Sequence, residues 1–589
     1  MYRREIGGIM TKAMTKTTVK TIVALIVALV LSALPLSAGA LAYADLTRLV
    51  SAGPLGEGGD GYSHDPAISA NGRYIAYVSR ATDLIDGLST NENDNIFLYD
   101  MANGTTALVT AGPLGIGGDD DSLAPSISDD GRWIAFFSRA TDLIDGLTTN
   151  GNANIFLYDT ETGITVLITE GQAGVGGDSG SFVPMISGDG TWIVFESSAT
   201  DLTGGLATTN KYNIFRYDMI RGEIALVTAG TADIGGDGNS FNPSVSGDGR
   251  WVTFSSYATD LVDGMVTSGG ENIYLYDADK KETALITTGS TGLGGNSYSF
   301  DPLIAAEGSK IIFTSRATDL VDGQTTRNMI NAFLYDMTTK ETALISKGAS
   351  GVGGDGDAHG VSISADGSKA VILSWASNLV DNLEANGYSN IFMYDTIAET
   401  TVLISTGPEG DGGGNDSTFP AMSSDGEWIA YASRATDLLD GQETNNNGNI
   451  FVWTIAAYVE VTFDAQDGND PAVDTVLLGT LVSRPVDPVL SGFVFNGWWT
   501  EAGALWDFDD PVTDDMTLYA GWTAEESPDP DPTDPKKPAD DTSALPASGD
   551  SGSMWWTWLP VAFVGMVAVA LSRREGREGR DKSHLRSGR

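Results

Sequence analysis

The residues best equipped for chemistry recur at a fixed interval. The segment Ser79-Arg80-Ala81-Thr82-Asp83-Leu84-Ile85-Asp86-Gly87 returns with its first aspartate at Asp142, Asp201, Asp260, Asp319, Asn378 (asparagine in place of aspartate) and Asp437, each 59 residues after the last. Asp83 with Asp86, Asp142 with Asp145 and Asp260 with Asp263 are thus presented in the same way several times over. Glycine-rich stretches add Asp60, Asp119, Asp178, Asp237 and Asp355 at a second fixed offset. Carboxylates gathered with asparagines and carbonyls suit a hard cation, so Ca2+ is the cofactor this set could take. The asparagine runs (Asn91, Asn93, Asn95; Asn150, Asn152, Asn154) lack the alternating aspartates of a calcium loop. The same aspartates could instead cap turns by side-chain to backbone hydrogen bonds.

Arginine precedes these aspartates only at Arg80, Arg139, Arg316 and Arg434. If the first and last repeats adjoin, Arg434, Arg80 and Arg139 line three consecutive units, and three guanidinium groups could clamp a carboxylate-bearing sugar. The plainer role is for each arginine to pair with its own loop aspartate. Histidine is scarce: His64 and His359 share one repeat position in distant units, and His584 lies in the basic tail. Gly177-Asp178-Ser179-Gly180-Ser181 resembles the GDSG of chymotrypsin-like proteases, yet it is one copy of a connection read elsewhere as GGDGYS, GGDDDS and GGDGNS. No nucleophile, histidine and acid come together, so no catalytic residue is assigned. Paired carboxylates on the loops leave glycan hydrolysis or lysis as the alternative to binding. With no cysteine, disulfides, thiol catalysis and cysteine-held zinc are excluded.

Four short strands per unit would position these loops. In the second unit they read Pro125–Ser128, Arg132–Ser138, Asn154–Asp159 and Ile164–Glu170, the first two joined by a tight turn at Asp130-Gly131. Trp133, Ala135 and Phe137 would face one side of the second strand, Ile134 and Phe136 the other, so both faces are covered. Four-stranded units buried on both faces and repeated radially make a β-propeller. The phase predicts its closure. A fourth-strand pattern stands first, at Leu46–Gly53, and is missing after Asn449–Thr454. Pairing these two removes two open edges. The long loops, Arg139–Ala153 and Gly171–Phe182, must emerge at one end of the disc, which is the expected working face.

The recurring S-x-D-G-x-[WY]-[IV]-x-[FY]-S followed by N-I-F-x-Y-D resembles TolB-type, WD-like propeller repeats over residues 45–454. The resemblance implies an all-β, seven-bladed β-propeller whose N-terminal strand closes the last blade. Residues 458–523 carry V-T-F-D, G-F-V-F-N-G-W-W-T, W-D-F and M-T-L-Y-A-G-W, which resemble the Listeria–Bacteroides, internalin B-type repeat and imply a small β-grasp-like module of surface proteins. Its Trp498, Trp499, Trp506 and Trp522 are expected to form the core of a small domain rather than a sugar platform. Residues 524–544, rich in proline and aspartate, read as an extended spacer.

The chain's ends set an address. Residues 1–44 combine Arg3, Arg4, Lys12, Lys16 and Lys20 with the apolar run Thr21–Leu36 and Ala42-Tyr43-Ala44, predicting a signal peptide cut after Ala44. Residues 545–589 hold Leu545-Pro546-Ala547-Ser548-Gly549, an apolar stretch at 554–571 predicted as a transmembrane helix, and a basic tail. This order resembles an LPXTG-type sorting signal with serine in the threonine position. It implies cleavage between Ser548 and Gly549 by a sortase and linkage to cell-wall peptidoglycan of a Gram-positive-type bacterium. A formal net charge of −46 opposes nucleic acid as a partner and leaves the membrane only the C-terminal segment. The expected function is surface display of the propeller for adhesion or capture of a glycan or protein ligand. The alternative is a surface carbohydrate-active hydrolase or lyase.

Overall fold

The computed structural model describes residues 47–524 apart from short segments within loops (55, 150, 173, 205–207, 209, 233, 265–266, 268–269, 382, 384–385, 408–409, 440–443, 445–446, 455–457, 469–470, 478–480, 502, 509–511 and 513–514). The signal peptide, spacer, sorting motif and apolar stretch at 554–571 lie outside the described residues. Among the described residues no helix is long and apolar enough to cross a membrane.

The repeats fold into seven four-stranded antiparallel sheets, numbered here in chain order. Sheet 1 comprises Ser63–Ile68, Tyr74–Ser79, Asn95–Asp100 and Thr105–Leu108; sheet 2 comprises Ser122–Ile127, Trp133–Ser138, Asn154–Asp159 and Ile164–Leu167. Sheet 7 draws Ser417–Met422, Trp428–Ser433 and Asn449–Thr454 from the end of the array and Arg48–Leu49 from its beginning. Arg48 stands opposite Val452, and Leu49 opposite Phe451.

An apolar cluster fills every gap between neighbouring sheets. In the gap between sheets 7 and 1, Ile75, Tyr77 and Phe97 pack with Ala430, Ile450 and Val452, as their counterparts do in the other gaps. The first strands touch one another around the axis and are innermost. Their far ends are tied by backbone bonds from turn to turn. Ala70 N donates to Asp129 O (3.1 Å), Asp129 N to Gly188 O (3.0 Å), Asp189 N to Gly247 O (3.0 Å) and Gly247 N to Ala306 O (2.8 Å). Glu307 N then donates to Ala365 O (2.9 Å), Ala365 N to Ser424 O (2.9 Å) and Asp425 N back to Ala70 O (3.2 Å). The circuit is complete, so the sheets form a ring. Ser424 Oγ also donates to Asp129 Oδ1 (2.8 Å), past the turn of sheet 1, which draws this end of the axis tight.

The turn glycines have a second duty beyond their positive φ. A Cβ on Gly72 would strike the indole of Trp428, as one on Gly249 would strike Trp192. Sheets 1 to 4 and sheet 7 thus lay an aromatic ring against the bare turn of the next, sheets 5 and 6 lay Lys310 and Lys369 there, and the sheet 7 to sheet 1 contact repeats the pattern.

The N-terminal strand is shorter than expected, Arg48–Leu49 within 46–53, and in sheet 2 two strand boundaries differ from expectation by more than one residue. The first strand of sheet 2 begins at Ser122, because a bulge at Ala124 (φ 50°) shifts the register between Leu123 and Ser126. The fourth ends at Leu167, because Thr169 Oγ1 rather than a main-chain oxygen accepts from Ile155 N (2.9 Å). The bulge recurs with positive φ at Asp65, Val183, Asn242, Asp301 and Phe419.

Residues 458–524 form a separate mixed sheet in which Tyr458–Asp464 runs parallel to Met516–Ala524 and antiparallel to Ala472–Leu477. Trp498 is buried with Val461, Phe463 and Leu518, and Trp506 and Trp522 pack against that core. Trp499 is half-buried, its Nε1 bonded to Asn496 Oδ1 (3.1 Å). The tryptophans build the module rather than a platform.

Candidate functional site

The recurring aspartates prove to be framework. Asp119 accepts from Thr141 N and Thr141 Oγ1 (2.6 Å each), while Asp142 Oδ1 accepts from Asp119 N (3.0 Å). Asp60 with Thr82 and Asp83, Asp178 with Thr200 and Asp201, and Asp237 with Thr259 and Asp260 repeat this clasp. Asp83, Asp142 and Asp260 are thereby turned onto backbone amides. Asp86 lines an open cleft of about 520 Å³ with Glu57 and Asp83. Asp145 and Asp263 lie in the equivalent turns of sheets 2 and 4. Among the described residues, however, no three acidic or histidine side chains gather closely enough to hold a metal ion. The repeated asparagines are framework too: Asn95 donates to Thr90 O and Asn93 O and accepts from Thr110 Oγ1 and Gly118 N.

The clasp has a pH signature. Burial would raise the carboxyls of Asp60, Asp119, Asp178, Asp237 and Asp355, but hydrogen bonds from the facing threonine or serine outweigh it and hold them below the usual range. Their contribution is therefore complete above the unfolded value of about 3.9 and is lost as pH falls through the lower folded value. Sheet 5 already uses Asn296 here, with Thr318 and Asp319 as partners. Converting the five aspartates to asparagine should preserve folding at neutral pH and move the acid-unfolding midpoint, followed by circular dichroism, to lower pH.

Where the seven units differ from one another is the informative place. The second strand ends in serine in every unit, from Ser79 to Ser433, yet the next residue is Arg80, Arg139, Ser198, Tyr257, Arg316, Trp375 or Arg434. The residues that enter the first and third strands vary as freely. All three positions belong to the long-loop end of the ring, opposite the tied turns. Aromatic side chains crowd this mouth. Tyr62 stacks on His64 (4.9 Å), and His64 meets Phe419 across the sheet 7 to sheet 1 gap (5.7 Å). Phe182 reaches Tyr212, Tyr212 reaches Phe241, and His359 lies between Phe300 and Trp375. Tyr257, Tyr298, Trp375 and Phe419 are 39%, 50%, 45% and 45% exposed, where aromatic side chains of the framework are fully buried.

The three arginines have different partners. Arg80 forks onto Asp94 through Nε and Nη2 (2.8 Å each), with His64 Nε2 3.9 Å from the same carboxylate. Burial would raise the Asp94 carboxyl, but His64 and Arg80 overrule it and keep it low. Arg316 approaches Asp357 at 3.9 Å. Arg139 and Arg434 are exposed and make no ion pair among the described residues, and the Arg434 guanidinium lies 5.0 Å over the Tyr62 ring.

Across the mouth stands an acidic group that the loop-centred sequence reading passed over. Glu196, 8% exposed, accepts from Asn242 N (3.0 Å); Asn242 Nδ2 donates to Asp301 (2.7 Å); Ser255 Oγ donates to Glu271 (2.6 Å). Burial pushes Glu196 up to about 7, and the charge of Glu271 adds to the rise while the Asn242 amide opposes it. Burial and Glu271 likewise raise Asp301 to about 6, against the Asn242 hydrogen bond. The sequence signal for Glu196 was a carboxyl at a strand position that is valine, phenylalanine or threonine in other units, at Val78, Phe137 and Thr314.

Fold and site together describe a β-propeller with a further small repeat module in the same chain and a diversified mouth at one end of the ring. Residues 460–521 match the family model of the Listeria-Bacteroides repeat domain. A protein of Evansella cellulosilytica described as a Gly-rich membrane protein is 38% identical over 76 residues, which is 12% of this chain and 8% of that protein. TolB from Acinetobacter baumannii is a structural neighbour at 18% identity and a TM-score of 0.33, over 56% of this chain and 63% of that one. An oligogalacturonate lyase from Vibrio parahaemolyticus gives 15% and 0.40 over 67% and 91%, and the β-propeller domain of the Trilobed protease from Pyrococcus furiosus 12% and 0.41 over 67% and 95%.

Proposed function

We propose that this chain is a surface-displayed binding protein, a seven-bladed propeller closed by its own N-terminal strand and used for adhesion or ligand capture. In this reading a signal peptide is removed after Ala44, and a sortase cuts within Leu545-Pro546-Ala547-Ser548-Gly549 to join the chain to peptidoglycan. The Listeria-Bacteroides repeat domain and the spacer at 524–544 carry the propeller outward. One observation carries the binding assignment: units that agree elsewhere diverge at the mouth, and there they expose aromatic rings and unpaired guanidinium groups. Exposed aromatics and arginines are the side chains that anchor ligands most strongly.

The test is an array of glycans and matrix proteins probed with the full chain, then with Trp375→Ala and Tyr298→Ala. A ligand whose retention falls with either variant supports the mouth as the site; retention unchanged in both refutes it. A second reading, a glycan hydrolase or lyase, is favoured by Glu196 and Asp301, carboxyls that burial pushes up to about 7 and about 6, into the range of proton transfer near neutrality, with Glu271, also raised by burial, in the same group. Release of reducing ends or unsaturated products from any array ligand would select it.

A further inference from the structure

The gap between sheets 7 and 1 departs from the framework in a coordinated way. In sheets 1 and 5 the arginine after the second strand has a carboxylate in reach: Arg80 binds Asp94 at 2.8 Å, and Arg316 approaches Asp357 of the following sheet at 3.9 Å. For Arg434 both equivalent positions have changed. The residue matching Asp94 is Gly448, and the residue matching Asp357 is Tyr62. These changes belong together, because a Cβ on Gly448 would overlap the Tyr62 ring. The glycine seats the tyrosine, and the tyrosine holds the guanidinium of Arg434 face-on at 5.0 Å. Arg434 is thereby fixed and left without a counter-ion among the described residues.

Phe419 completes the arrangement. It occupies the bulge of sheet 7 at φ 52°, a conformation costly for a bulky side chain, and its ring is 45% exposed against His64. Neither the strain nor the exposure helps folding, since the same position is alanine in sheet 2 and glycine in sheet 6. Tyr62 and His64 link the exposed Phe419 ring to the Arg434 guanidinium along this seam, an arrangement that matches an acidic oligosaccharide: one pyranose lays its apolar C–H face on Phe419, and the carboxylate of a neighbouring sugar takes the fork of Arg434. The net charge of −46 repels a continuous polyanion, which favours an isolated acidic sugar in an otherwise neutral saccharide.

We infer that the seam between the first and last sheets is an acidic-sugar subsite, with Arg434 as the carboxylate anchor and Phe419 as the stacking platform. This rests on the proposed binding role of the mouth. Calorimetry on the full chain would compare an oligosaccharide containing one uronic acid with its neutral, carboxyl-reduced counterpart and with a peptide ending in a free carboxylate. The acidic saccharide is expected to bind at least about tenfold more tightly than the neutral one. Arg434→Gln should erase that preference, and Arg434→Lys should restore it only in part. Phe419→Gly relieves the positive φ and so should keep or raise the melting temperature while weakening both saccharides about tenfold. Equal binding of acidic and neutral saccharides, or preference for the peptide, would overturn the inference. If a ligand sensitive to Trp375→Ala ignores Arg434→Gln, the subsite fails while the mouth stands; if nothing responds to either, both fail.

Discussion

Gly72→Ala is expected to destabilise the ring by about 3 kcal/mol. Two effects add. Gly72 sits at φ 73°, where a Cβ costs about 1–2 kcal/mol. The same Cβ would also overlap Trp428 of the last sheet, and overpacking of a closed contact costs about 1–3 kcal/mol. Gly87→Ala separates the two, because Gly87 has the same φ of 73° with no atom within 4 Å of its notional Cβ. It should lose only about 1–2 kcal/mol. Denaturant unfolding of the pair measures the difference, which reports the contact between the first and last sheets. Equal losses would mean that the first turn does not lie on Trp428.

The second large effect has the opposite sign. Glu196→Gln should stabilise the protein at pH 8 by about 3 kcal/mol. Burial raises the Glu196 carboxyl from 4.5 to about 7, a change of about 2.5 units at about 1.4 kcal/mol each. A carboxyl raised in the folded state contributes most below its unfolded value, and that contribution is lost as pH rises through about 7. Glutamine keeps an oxygen to accept from Asn242 N and has no charge to bury. The gain should therefore shrink below about pH 7 and vanish near pH 4. Urea melts of both proteins across pH 4–8 provide the check, and a variant no more stable than the parent at pH 8 would remove the assignment. Retaining a buried acid at this cost, 8% exposed beside an open mouth, fits a site kept for use.

The framework was legible because it is repeated. A 59-residue period, apolar residues on both faces of the second and third strands and a fourth-strand pattern displaced to the N-terminus are all local signals, and the coordinates carry them as sheets, inter-sheet clusters and the Arg48–Val452 pairing. The bulge at Asp65 and its counterparts was not legible, because a single left-handed residue leaves no trace in an alternation pattern. The candidate site was harder to read for a related reason. Asp83, Asp142 and Asp260 attracted attention by recurring, yet recurrence in a ring of equivalent sheets marks what every sheet needs, here a clasp between two loops. The proposed site draws instead on residues that break the repeat, as Tyr62, Phe419, Gly448 and Glu196 do. Arg80, Arg139 and Arg434 were correctly set on adjoining sheets, but only coordinates separate Arg80, spent on Asp94, from Arg434, stacked and unpaired.

The chain contains no cysteine, so a cross-link between its two ends can be introduced without competitors. Arg48→Cys with Val452→Cys places thiols on directly opposed residues of the sheet that joins the N-terminal strand to the last repeat. Such pairs lie about 5.5 Å apart at Cα, within the range a disulfide spans. Intact mass and thiol counting after mild oxidation should find the link formed in nearly every molecule, with a stabilisation of roughly 2–5 kcal/mol from closing so long a loop. Free thiols that persist under the same oxidation would place the opening strand elsewhere, and the mouth at which the divergent residues meet would lose its foundation.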